Sequence, residues 1–225
     1  MSETPTFWPR PAAGVPVHPV LWAMVGVMVL LEALMSAADA GLVPQIFHRV
    51  WLYTAFAFFD AQFELARSGI FFDPQLVWSL VSYAFLHGGW LHLGLNGAVF
   101  LALGHGISRS IGIGRTVALF ALTAAAGAIL FALIADTGWP LVGASGAVFG
   151  FLGTVTGWRL RALRAAGLTA APIWRMLAGL VAINALMAFG LIGMGGALAW
   201  EAHLGGFAAG WAMAWVWTPR PASPD

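Results

Sequence analysis

Six long apolar runs, at about 18–38, 86–107, 116–135, 145–158, 172–192 and 199–217, constrain this chain more than any other feature. A helix needs about 20 apolar residues to cross the ~30 Å hydrocarbon core of a bilayer. Backbone groups in lipid are satisfied only in helices or closed barrels, and these runs lack the alternation of barrel strands. Composition agrees: 60% of the residues are hydrophobic and 8% charged, against about 25% charged in soluble domains. The reading is an all-α membrane protein, a bundle of six transmembrane helices in one domain over 18–218. Short tails at 1–17 and 219–225 flank it. Cysteine is absent, which excludes disulfides and thiolate catalysis, and the net charge of +1 argues against a nucleic-acid partner.

The region 42–78 does not fit a span. It is aromatic-rich and broken by His48, Arg49, Asp60, Glu64, Arg67 and Asp73. We expect a long interfacial first loop, with a seventh membrane helix as the alternative. Arg10, Arg109, Arg115, Arg159, Arg161, Arg164, Arg175 and Arg220 share one side of the six-span topology, which predicts both termini in the cytoplasm. A cleavable leader ending near Ala38-Asp39-Ala40 is the less favoured reading of the first run, which is long and contains Glu32. Glu32 is expected to face another helix or to snorkel outward.

Polar groups inside a bilayer are costly and mark function by default. Those singled out are His87, His92 and Asn96 in span two, Ser145 at the start of span four and His203 at the start of span six. These three spans run in the same direction. From Ser145 to the next arginine, Arg159, is about 21 Å of helix. Similar arithmetic places His203, His92 and Asn96 at nearly the same depth, roughly 10 Å below the outer surface. His92 and Asn96 share a helix face. The stripes Gly146-Gly150-Gly153-Gly157 and His203-Gly206-Gly210 both contain Gly-xxx-Gly spacing, which permits close helix packing in lipid. Packing through them sets Ser145 opposite His203.

A serine hydroxyl becomes a nucleophile when a neutral imidazole takes its proton. Acyl transfer also needs donors at the developing oxyanion, and His92, Asn96 and the Ser145 N–H at a helix start can supply them. Glu201, about 200° round the helix, is not placed to orient His203, so the arrangement is a Ser–His dyad. Gly143-Ala144-Ser145-Gly146-Ala147 fails the G-x-S-x-G pattern at its last position, which excludes a soluble α/β-hydrolase.

Three motifs together resemble the rhomboid intramembrane serine proteases: HGGWLHLGLN (87–96), GASG (143–146) and AHLGGFAAG (202–210). The resemblance extends over about 18–218, including the long first loop. It implies that Ser145 is the nucleophile and His203 the general base, with His92, Asn96 and the Ser145 N–H as the oxyanion hole. His87 would support a water-accessible cavity, Gly143 and Gly146 belong to the nucleophile motif, and Gly206 and Gly210 permit close packing of span six. The substrates implied are transmembrane segments of other membrane proteins, cut near their outer ends within the lipid bilayer, with no metal or organic cofactor. The loop LIGMGGALAW (191–200) would be a flexible cap and span five a lateral gate.

Two positions depart from the family pattern. Trp78 is followed by Ser79 where many relatives have arginine, so the loop anchor that arginine provides is missing. Phe149 stands where many carry tyrosine; it can stack on the histidine but brings no hydroxyl. The alternative function is a catalytically inactive rhomboid-like protein that binds transmembrane clients. A His-ligated metal or haem site on His87, His92 and His203 is disfavoured, because a five-residue spacing puts the first two about 140° apart on one helix. The arginine bias suits a bacterial inner membrane.

Overall fold

The computed structural model describes residues 15–135, 137–188 and 199–219. Among these, nine α-helices and two 3-10 turns form a helical bundle with no strand beyond one isolated bridge. The helices are α1 (Pro19–Asp39), α2 (Arg49–Phe56), α3 (Asp60–Arg67), α4 (Gln75–Ser82), α5 (Trp90–Ile111), α6 (Ile113–Ile134), α7 (Ser145–Ala165), α8 (Ala171–Ala188) and α9 (Trp200–Val216). The six expected spans correspond in order to α1 and α5 through α9. By length and composition, α1, α5 and α6 are long and apolar enough to cross a membrane.

Local chemistry sets the helix ends. The His18 imidazole accepts from the Val20 N–H at the start of α1, with Pro19 at the first position, where its missing N–H costs nothing. His48 caps α2 in the same way through Val50. Gly112 alone joins α5 to α6 at φ 86°, a left-handed conformation that turns two helices back on each other. Helix α1 buries Leu21, Met28, Glu32 and Met35, a stripe at helical spacing, and leaves Trp22, Val27, Val29 and Leu30 exposed.

The first loop contains α2, α3 and α4, each of eight residues. Each rises only ~12 Å, so the alternative of a seventh membrane helix is set aside. His87 departs from its expected place. It precedes α5 instead of lying within a span, because Gly88-Gly89 breaks the chain direction, with Gly89 at φ 141°.

The glycine stripes meet as the spacing predicts. A Cβ on Gly206 would collide with the Gly146 carbonyl oxygen, one on Gly210 with the Gly150 carbonyl, and one on Gly153 with the Phe207 carbonyl. On its other side α9 presses on α6, where a Cβ on Gly205 would lie 2.6 Å from the Ala126 carbonyl oxygen. Helix α9 is thus wedged between α6 and α7 at backbone contact, the packing that small residues allow in lipid. Phe100, Phe120 and Phe151 form an aromatic cluster between α5, α6 and α7, with ring centroids 5.5 to 6.4 Å apart.

Candidate active site

The segment before Ser145 is held by the first loop. Phe58 and Leu141 exchange two backbone hydrogen bonds of 3.3 and 2.8 Å, and the Asp60 carboxylate accepts from the Thr137 N–H at 3.2 Å. The Gly143 N–H donates to the Tyr83 carbonyl at 3.1 Å. The Ala144 N–H reaches His87 Nε2 at 3.5 Å. Gly143 sits at φ 110°, and a Cβ there would stand 2.6 Å from His92 Cε1. A larger residue is therefore excluded twice, by backbone conformation and by the imidazole. Helix α7 then begins at Ser145 itself, so backbone N–H groups of its first turn lack intrahelical partners.

Helix α9 brings His203 to the same place. Ala202 packs on Gly146, whose Cβ would lie 3.4 Å from the Ala202 carbonyl oxygen. The His203 ring stacks on Phe149, one turn beyond Ser145, at 4.1 Å and 6°. His203 Nδ1 lies 2.8 Å from Asn184 Oδ1 on α8. His203 is 7% exposed, while Ser145 is half-buried. Among the described residues no hydrogen bond joins Ser145 Oγ to His203, and Glu201 makes none to the imidazole.

The remaining expected site residues divide. The His92 ring lies against Gly143 and 5.1 Å from the His87 ring, in an edge-to-face arrangement. The 140° argument about these two fails, because His87 is off the helix. Even so, no three His, Asp or Glu side chains among the described residues gather as a metal-ligand set. Asn96 is buried but turns back along α5, its Nδ2 donating to the His92 carbonyl at 3.0 Å. That bond uses one of the two Nδ2 protons and leaves the second uncommitted among the described residues. Of the cap loop, 191–198 lie outside the described residues, as do Arg10, Asp136 and Arg220.

Arg49 is the residue sequence reasoning missed in the first loop. Its guanidinium pairs with Glu32 at 2.9 Å and Asp39 at 3.0 Å, and donates to the His87 carbonyl at 2.7 Å. The Tyr53 hydroxyl donates to the same carbonyl at 2.7 Å, with its ring 5.9 Å from the guanidinium carbon. The hydrogen bonds it donates to the Glu32 carboxylate raise the Arg49 pKa above its ordinary value. Glu32 is fully buried and does not snorkel. Arg49 thus ties the first loop both to α1 and to the segment before α5. Ser79 itself is buried and bonded to the Leu76 carbonyl at 3.2 Å. The available signal was an acid within the first span and an arginine in the polar, aromatic-rich stretch that follows it. Asn184 was equally legible, as an amide within the fifth apolar run.

Comparison with known proteins falls on the region that carries this geometry. Residues 74–220 match the Rhomboid domain. RHOMBOID-like protein 5 of Arabidopsis thaliana is 30% identical over 150 residues, covering 64% of this chain and 45% of that protein. RHOMBOID-like protein 4 of the same plant is 34% identical over 151 residues, 64% of this chain and 35% of the relative. Human Rhomboid-related protein 3 is 33% identical over 86 residues, 37% of this chain and 21% of that protein. The chain therefore spans less than half the length of these curated relatives. With a family match over well more than half of its length and an apolar helical bundle to match, this chain is an integral membrane protein and belongs to the rhomboid family.

Proposed function

We propose that the protein is an intramembrane serine endopeptidase that cleaves transmembrane segments of other membrane proteins, with Ser145 as nucleophile and His203 as base. The observation that carries this reading is the seating of His203. It stacks on Phe149, one turn from Ser145, on a helix at backbone contact with α7. His203 Nε2 takes the Ser145 proton as Oγ attacks the scissile carbonyl, then gives that proton to the leaving amine. Water hydrolyses the resulting acyl-enzyme by the same exchange. First-turn N–H groups of α7 and the His92 side chain are the donors available to the oxyanion. Asn96 Nδ2 gives one proton to the His92 carbonyl and has a second for the oxyanion. Access from outside the cell, with both termini in the cytoplasm of a bacterial inner membrane, is the orientation the arginine distribution supports.

One observation favours a second reading, a client-binding member without hydrolysis: the missing hydrogen bond between Ser145 and His203. Catalytic hydrogen bonds are often long before substrate binds. Co-reconstitution with a single-span reporter carrying small residues near its outer end separates the two. Cleavage by wild type and none by Ser145→Ala supports the protease. Intact reporter that co-purifies equally with both supports the client binder.

A further inference from the structure

The amide of Asn184 has its orientation set by its own helix. Nδ2 donates to the Leu180 carbonyl at 2.9 Å, four residues back. That leaves Oδ1 toward His203, 2.8 Å from Nδ1. An amide oxygen only accepts, so the imidazole proton sits on Nδ1 and the Nε2 lone pair is left free. Nε2 is the nitrogen that a base acting on Ser145 needs unprotonated. The ring is fixed in plane by the parallel Phe149 ring, so Asn184 controls rotation within the stack while Phe149 controls tilt.

We propose that Asn184 is a positioning residue that holds His203 in the Nδ1–H tautomer with Nε2 available to Ser145, adding an orienting acceptor behind the expected dyad. This rests on the protease reading for its consequence, although the tautomer itself does not. In its first sixteen residues α8 buries only Ile173 and exposes most of its remaining side chains. Among the described residues the His203 contact is a polar tie from α8 to α9, so the state of the base depends on where α8 sits.

Histidine-selective 15N labelling of the full chain in detergent micelles tests this, because six histidines give a sparse spectrum and His203→Ala assigns the signal. Wild type is expected to show the Nδ1–H tautomer. Asn184→Leu, similar in size but without an acceptor, is expected to show a mixture, and Asn184→Asp is expected to restore Nδ1–H. In fluorophosphonate labelling, the maximal inactivation rate of Asn184→Leu should fall about 3- to 10-fold, the loss of one neutral hydrogen bond. The probe concentration for half-maximal rate should stay unchanged, and Asn184→Asp should recover the rate. A wild-type signal from the Nε2–H tautomer, or an Asn184→Leu spectrum identical to wild type, overturns the proposal without needing any activity. The expected tautomers with no labelling of wild type would leave the positioning intact and sink the protease reading instead.

Discussion

Replacing Arg49 tests whether the first loop is held to α1 by a buried charge cluster. The Glu32 side chain is 1% exposed and that of Arg49 24%. Arg49→Ala leaves the carboxylate with only the Ser36 hydroxyl, at 3.3 Å, as a partner among the described residues. It also removes one of two donors from the His87 carbonyl, leaving the Tyr53 hydroxyl. Stranding one member of a buried pair costs about 3–5 kcal/mol. Asp39, whose side chain is 35% exposed, adds at most ~1 kcal/mol. We therefore expect Arg49→Ala to lose about 3–5 kcal/mol in reversible unfolding by sodium dodecyl sulfate, followed by tryptophan fluorescence. Glu32→Leu combined with the same Arg49→Ala removes both charges, so most of that loss should be recovered, with a coupling energy of about 2–3 kcal/mol. Single variants within ~0.5 kcal/mol of wild type, or additive losses in the double variant, would refute the reasoning.

Three other expectations follow from the packing. Gly206→Ala places a methyl group on the Gly146 carbonyl, so α9 must move off α7; a loss of about 1–3 kcal/mol by the same unfolding assay is expected, with Ser145 reactivity abolished. Gly143→Ala forces an alanine to φ 110° against the His92 ring and should cost at least ~1 kcal/mol in that assay, whereas Gly138→Ala, at positive φ with open space around it, should show only the backbone penalty and keep full reactivity. Phe149→Ala removes the parallel ring 4.1 Å from His203 and should lower the rate of active-site labelling about 3- to 10-fold through the loss of ~0.5–1.5 kcal/mol of stacking, while Phe149→Tyr keeps the wild-type rate.

The bundle was legible in the sequence because the lipid solvent imposes a simple rule. Runs of about twenty apolar residues must be helices, and Gly-xxx-Gly stripes mark where two of them touch. The Gly206–Gly146 contact follows directly from that rule. Local breaks were less legible. Gly88-Gly89 ends a run that hydropathy alone continues to residue 86, which moved His87 off α5. Interactions at long range were hardest. Arg49 finds Glu32 seventeen residues away and His87 thirty-eight away, through a loop whose path periodicity does not describe. Asn96 shows the converse limit: its placement on the His92 face was foreseen, but not the choice of its amide to bond the i−4 carbonyl. Asn184 needed only the rule already applied to the other polar residues, that an amide within a span has a partner.

The central claim is that Ser145 is a nucleophile activated by His203. The most direct measurement is labelling of the purified protein in liposomes with a fluorophosphonate, with the modified residue located by mass spectrometry. The account predicts a single adduct on Ser145, lost in Ser145→Ala and in His203→Ala while both variants remain folded. Wild type that takes up no label in liposomes or detergent, or His203→Ala that labels at the wild-type rate, would contradict it.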